Sequence, residues 1–195
     1  MSVAAVVLAA GASRRMGQPK QLLRFDGQSL LRRTTAAALT AGCDPVVVVL
    51  GALGNPLRDE LSGLPAIVLD NPDWEQGPGT SIRCGMTAIG TADAVTFLVC
   101  DQPFVDAEHL KRLIHAWRES GLPMAASAYA DAIGVPALFD ASCFADLRQL
   151  PPESGAKKLL LRHRERVAAV PFPGGAFDLD TPEDAQLAST FNGAR

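Results

Sequence analysis

Two runs, 45–50 and 95–100, are apolar almost from end to end. A strand with one wet face alternates apolar and polar residues, so near-continuous runs predict strands covered on both faces, as in parallel sheets with helices on either side. Residues 3–8, 66–69 and 124–127 read as further strands. Segments of helical period lie between them. Leu30, Leu31, Thr34, Ala38 and Ala41 share a face before Gly42 stops the helix. Ile82, Met86 and Ile89 repeat the pattern after Gly79-Thr80-Ser81. Asp106 reads as an N-cap, with Leu110, Leu113, Ile114 and Trp117 at core spacing. Strands alternating with helices predict an open, mostly parallel α/β sheet.

After residue 130 the pattern loosens. Residues 134–139 read as a strand carrying Pro136 near an edge or bulge. A short helix follows over 140–149, Pro151-Pro152 break it, and a basic helix runs over 154–166. Residues 167–172 are the next strand, and Pro173-Gly174-Gly175 turns the chain. Thr181 caps a last helix, with Pro182 at its first position and Asp184 completing a capping box. The 195 residues suggest one domain over 1–195 that needs no disulfide or metal to hold its core.

The first strand runs into Leu8-Ala9-Ala10-Gly11-Ala12-Ser13-Arg14-Arg15-Met16-Gly17-Gln18-Pro19-Lys20. Gly11 and Gly17 let backbone N–H groups approach an anion, and successive N–H groups form a concave anion site. Arg14, Arg15 and Lys20 add positive charge. The spacing is not a Walker A loop, which places lysine directly after its second glycine; here Lys20 comes three residues after Gly17.

Asp101, in Val99-Cys100-Asp101-Gln102-Pro103, ends a buried strand. In open α/β sheets ligands bind outside the carboxyl ends of the strands. A carboxylate there, facing a triphosphate, is a natural Mg²⁺ ligand. Asp178 and Asp180 share one side of an extended segment, and either could complete a metal site. Asp180 is favoured, because Thr181 is the better helix cap and leaves it free. Thr80 and Ser81 sit at a helix start within a loop shaped by Gly77-Pro78-Gly79, where hydroxyls and N–H groups can read a base edge or bind an anion. Trp74 is either a stacking platform or a core residue. No hydroxyl, thiol or histidine is paired with a base, which suits a reaction whose nucleophile belongs to the substrate.

The net charge of −3 implies no nucleic-acid partner, and no run is long enough to span a membrane. The N-terminus shows no signal-peptide pattern. Cys43, Cys84, Cys100 and Cys143 form no C-x-x-C pair and read mostly as buried thiols of a reduced, cytoplasmic protein. His109, His115 and His163 are too dispersed for a zinc site.

Residues 8–20 match the signature L-A-A-G-x-S-x-R-M-G-x-x-K of nucleotidyltransferases with a Rossmann-like core. Asn71-Pro72-Asp73-Trp74, Ser81-Ile82-Arg83, Gly85, Asp101-Gln102-Pro103, the 134–139 segment and the 178–184 segment extend the likeness over nearly the whole chain. As a set they resemble the molybdenum cofactor cytidylyltransferases. The resemblance implies a three-layer α/β sandwich with a mostly parallel, Rossmann-like mixed sheet of the nucleotide-diphospho-sugar transferase type. It implies transfer of CMP from CTP to molybdopterin, with Mg²⁺ on Asp101 and Asp180. Leu8, Ala9, Ala10, Gly11, Ser13, Arg14, Lys20, Thr80 and Ser81 would bind nucleotide. Arg14, Lys20 and Asp101 would be catalytic, and a molybdoenzyme or its chaperone would be a transient partner. The guanylyl-transferring sibling carries L-A-G-G, so Ala10 points to cytidine. Where the family shows G-D-x-G-A-R, this chain has Pro152-Glu153-Ser154-Gly155-Ala156-Lys157, and lysine lacks arginine's bidentate phosphate grip. The departure falls on the acceptor side. Alternatives are another nucleotide such as GTP, another phosphorylated acceptor, or a non-catalytic delivery protein.

Overall fold

The computed structural model describes residues 1–13, 18–177 and Leu179. Seven strands form one sheet: β1 (Val3–Ala9), β4 (Val46–Leu50), β5 (Ile67–Asp70), β6 (Ala94–Val99), β7 (Met124–Tyr129), β8 (Ala132–Asp140) and β9 (Val167–Pro171). Two short strands, β2 (Arg24–Phe25) and β3 (Gln28–Ser29), make a separate hairpin. The sheet order is β5-β4-β1-β6-β8-β7-β9. Only β8 runs against the others, pairing antiparallel with both β6 and β7.

Both-face burial holds. All five residues of β4 are buried, and along β1 the odd residues Val3, Ala5 and Val7 enter one core while Ala4 and Val6 enter the other. The first core is closed by α1 (Leu30–Thr40), α2 (Gly54–Glu60) and α4 (Ala107–Ser120). The second is closed by α3 (Pro78–Gly85), α5 (Phe144–Arg148) and α6 (Ala156–Arg162). The result is the three-layer sandwich that the apolar runs imply. Caps agree too: Asp106 accepts from the His109 N–H at 2.8 Å, and Gly42 takes a left-handed conformation (φ +84°) behind α1.

Three details differ from the sequence reading. Helix α2 was not foreseen, because it opens on Gly54-Asn55-Pro56 and buries only Leu57. The basic helix over 154–166 is shorter: α6 ends at Arg162, and a 3-10 turn follows over Arg164–Arg166. The strand read over 134–139 is longer, Ala132–Asp140, with Pro136 at the expected bulge, where the register against β7 slips between Ala126 and Ser127. A bulge absorbs a residue that cannot donate to the ladder. The last helix expected from Thr181 lies outside the described residues. Among the described residues, no helix is long and apolar enough to cross a membrane.

Candidate active site

The chain passes from β1 outward through β4 and β5, then returns to place β6 on the other side of β1. The strand order therefore reverses between β1 and β6, where open sheets bind ligands at their carboxyl ends. Register lines up the exits: Leu8 pairs with Val99, Ala9 with Leu50, and Leu50 with Asp70. Ala10, Gly51, Asn71 and Asp101 thus leave the sheet along a single edge. The approach is tight. A Cβ on Gly51 would sit 2.5 Å from the Ala10 carbonyl oxygen and 2.7 Å from Trp74 Cγ.

At that edge Lys20 Nζ donates to Asp101 Oδ2. The two side chains are 22% and 21% exposed, so the pair is partly shielded yet open to a ligand. Lys20 reaches it because the loop folds back on itself. Ser13 Oγ accepts from the Lys20 N–H at 3.0 Å and donates to Gln21 Oε1 at 3.2 Å. Gln21 is buried, and its Nε2 donates to the carbonyls of Ala9 (3.1 Å) and Gly11 (2.6 Å). Sequence reading overlooked Gln21, since a lone glutamine after a loop reads as surface. The available signal was its position between Lys20 and the apolar Leu22-Leu23, which pack against the core clusters. Arg14 lies outside the described residues.

Beside this loop is a cavity of about 390 Å³, lined by Leu8, Ala10, Gly11, Trp74, Glu75, Gly77, Pro78, Ser81 and Val99. Its wall is mostly apolar, and Trp74 lines it rather than the core. Helix α3 contributes less than its N-terminus suggests. The Gly79 N–H donates to the Pro152 carbonyl at 2.8 Å, and the Thr80 N–H to Gly77 at 3.2 Å. These amides are already used. The Thr80 hydroxyl donates toward the Gly77 carbonyl (2.8 Å) and accepts from Asn71 Nδ2 (2.8 Å), and Thr80 does not line the cavity. Ser81 does, with its Oγ accepting from Asn71 Nδ2 at 3.0 Å. Asn71 is therefore the buried anchor of the 71–81 loop.

The other half of the edge carries the Pro151–Pro152 carbonyls, which press against Gly77 and Gly79. Lys158 Nζ donates to the buried Ser154 at 3.3 Å, and Lys157 is exposed. Cys100 is buried. Burial first, then the charge of Asp101, push its thiol pKa far up, so it is neither nucleophile nor ligand. Asp178 and Asp180 lie outside the described residues. Between them Leu179 is described, and its N–H donates to the Asp101 carbonyl at 2.8 Å. The segment bearing the second expected carboxylate is thus tied to the first. Among the described residues, no three His, Cys, Asp or Glu gather as an all-protein metal cage.

A strand reversal at β1/β6 with a lysine–carboxylate pair and an adjoining cavity is the ligand-binding edge of an open α/β sheet. Residues 5–167 match the MobA-like NTP transferase domain, and the chain belongs to that family. It is 32% identical to the molybdenum cofactor guanylyltransferase of Rhodobacter capsulatus, covering 96% of this chain and 95% of the relative. It is 31% identical to the purine catabolism protein PucB of Bacillus subtilis (strain 168), covering 93% of each. Identity to the molybdenum cofactor cytidylyltransferase of Escherichia coli (strain K12) is 28%, covering 92% and 91%. The crystal structure of Rv0371c from Mycobacterium tuberculosis H37Rv superposes with a TM-score of 0.82 at 28% identity, covering 97% and 99%. The same protein has been solved in complex with manganese (TM-score 0.78, 27% identity, covering 97% and 99%).

Proposed function

We propose that this nucleotidyltransferase transfers CMP from CTP to the terminal phosphate of molybdopterin and releases pyrophosphate. The observation that carries the reading is the Lys20–Asp101 pair at the β1/β6 reversal, beside the cavity lined by Ala10, Trp74 and Ser81. The cytosine would occupy that cavity, with the Leu8–Ser13 backbone and Arg14 around the phosphates. Thr80 acts there by holding the loop, and Ser81 by facing the ligand.

The acceptor phosphate is already anionic, so no protein base is needed to activate it. One of its oxygens attacks the α-phosphorus, the new P–O bond forms, and the bond to the bridging oxygen breaks with pyrophosphate as the leaving group. Lys20 and Arg14 would stabilise the charge on the leaving group and on the transferred phosphoryl group.

The residues suit Mg²⁺. Asp101 offers an oxygen donor that is neither fully buried nor freely mobile, and Mg²⁺ uses one or two carboxylates, completing its shell with phosphates and water. Asp101 would hold the ion, joined by Asp180. When bound, it would neutralise phosphate charge and make the α-phosphorus a better electrophile. The manganese complex of Rv0371c supports a divalent ion in this fold.

Two relatives, named for guanylyl and cytidylyl transfer, frame a second reading in which GTP replaces CTP. Ala10 favours CTP, by resemblance to the cytidylyl branch. Another phosphorylated acceptor differs from the proposal only at its outer half, whereas a non-catalytic delivery role removes the reaction. Incubation with Mg²⁺, molybdopterin and each nucleoside triphosphate separates them. Pyrophosphate release with CTP supports the reading, release with GTP alone transfers it to guanylyl transfer, and release with neither rejects molybdopterin as the acceptor. Handover to a molybdoenzyme or its chaperone in the cytoplasm would follow.

A further inference from the structure

We infer that Gln102 is a positioning residue that clamps the 172–177 loop onto the Asp101 turn and thereby sets the geometry around the Asp101 carboxylate. The inference rests on the function proposed above and extends it to a residue that touches neither nucleotide nor ion. Gln102 is 3% exposed, although it directly follows the partly exposed Asp101. Its Nε2 donates to the Gly175 carbonyl at 3.2 Å and to Tyr129 Oη at 3.4 Å. The amide orientation follows from the network. Tyr129 Oη donates its proton to the Val135 carbonyl at 3.2 Å, so toward Gln102 it accepts, and a carbonyl at Gly175 can only accept. Flipping the amide would set oxygen against oxygen at both contacts.

The orientation has a cost. Gln102 Oε1 is buried and finds no partner among the described residues, and an orphaned buried acceptor is destabilising. A leucine or methionine would fill the volume without that penalty. A residue kept at a cost to stability belongs where geometry matters, and here the geometry is specific. Gly175 has no room for a side chain, because a Cβ would lie 2.5 Å from Tyr129 Cδ1 and 2.5 Å from Phe172 Cδ1. Gly174 is equally close-set, with a Cβ 2.9 Å from that of Phe104. The loop therefore seats on Tyr129 and Phe104 in one position, the Gln102 amide holds it there, and the Leu179 N–H closes onto the Asp101 carbonyl at 2.8 Å. Two adjacent residues, Asp101 and Gln102, thus hold this stretch at two points, Leu179 and Gly175.

The test uses the full chain and three measurements on Gln102→Met, which keeps the volume and removes the donors, and on Gln102→Glu, which keeps the shape but turns acceptors toward Gly175. Hydrogen exchange of residues 172–179, in metal-free and nucleotide-free protein, should quicken by about fivefold to tenfold, the size of one lost hydrogen bond. Mn²⁺ affinity, read by electron paramagnetic resonance with a non-hydrolysable CTP analogue present, should fall by at least about tenfold, as for groups that orient a metal ligand. Affinity for the analogue in EDTA should stay unchanged. Unaltered exchange overturns the clamp. Unaltered Mn²⁺ affinity with a lowered melting temperature reduces Gln102 to a structural role, and a parallel fall in metal-free nucleotide affinity makes it a nucleotide contact instead. Should Gln102→Met fail to fold, Gln102→Asn, one methylene short of Gly175, carries the same readouts. Absence of Mn²⁺ binding to the wild type with the analogue would sink the proposed metal chemistry, while the exchange measurement still judges the clamp.

Discussion

Lys20 donates to the carboxylate of Asp101 across the sheet edge where the strand order reverses. The two are 81 residues apart in sequence. They meet because β1 and β6 are parallel neighbours in register and the Ser13–Gln21 bonds fold the loop back over them. The pair joins the cationic loop to the strand-end acid, so each side chain holds its partner in place before substrate arrives.

Breaking either half should therefore damage turnover more than folding. Lys20→Ala is expected to cost about 2–4 kcal/mol of transition-state stabilisation, or roughly 30- to 1000-fold in kcat/KM. Asp101→Ala should abolish measurable pyrophosphate release under saturating CTP and Mg²⁺. Nearly unchanged turnover in Asp101→Ala would overturn the proposed mechanism, and a rise in KM with kcat preserved would reassign Lys20 to ground-state affinity.

Gln21 holds two loop carbonyls from a buried position. Gln21→Ala should strand the carbonyls of Ala9 and Gly11 and lower stability by about 1–3 kcal/mol, measured by urea denaturation. CTP affinity should fall with it, because the loop loses its fixed shape. A variant of normal stability and normal affinity would show that the loop holds itself.

The Ala10 methyl group lines the cavity beside Gly51. Ala10→Gly should enlarge the space at that wall and shift the ratio of kcat/KM for CTP over GTP toward GTP by roughly tenfold, the scale of one small apolar group in a pocket. The measurement is pyrophosphate release with each nucleotide. An unaltered ratio would remove Ala10 from nucleotide choice.

His109 supplies a pH dependence unconnected with catalysis. Ser127 Oγ spends its proton on the Pro136 carbonyl at 2.7 Å, so at 2.7 Å it accepts from His109 Nε2, leaving Nδ1 to accept from Arg112 at 3.3 Å. The ring also stacks on Phe172 at 4.0 Å. Burial first, then the Arg112 guanidinium, lower its pKa from 6.5 to about 4, against the opposing charge of Asp106. Between these values the unfolded chain binds the proton and the folded one does not, so stability rises with pH there. The contribution is complete above about 6.5 and is lost as pH falls toward 4. Melting temperature followed over that window should drop in the wild type and drop less in His109→Gln, which keeps a donor for Ser127. Parallel curves would place the acid sensitivity elsewhere.

Much of the fold was readable because burial on both faces leaves its mark on every residue of a strand. The runs at 45–50 and 95–100 became β4 and β6 within a residue, and the Asp106 cap and Gly42 stop hold as read. Helix α2 escaped because a helix that buries one leucine has almost no periodicity to detect. On the site, Asp101 and Lys20 were legible as charges next to a strand end. Gln21, Asn71 and Gln102 were not, since a buried amide differs from a surface amide only through partners distant in the chain.

By itself, then, the sequence determined the layers and the chemistry on offer: strands apolar on both sides can be satisfied only between helices, and a glycine loop with basic residues offers an anion a site. It did not determine which strand lies beside which. Tertiary structure placed β6 against β1, reversed β8, and brought Lys20 onto Asp101, because long-range pairing depends on how whole faces pack rather than on any local run. The same packing buried Gln102 beside the partly exposed acid and left its oxygen without a partner among the described residues.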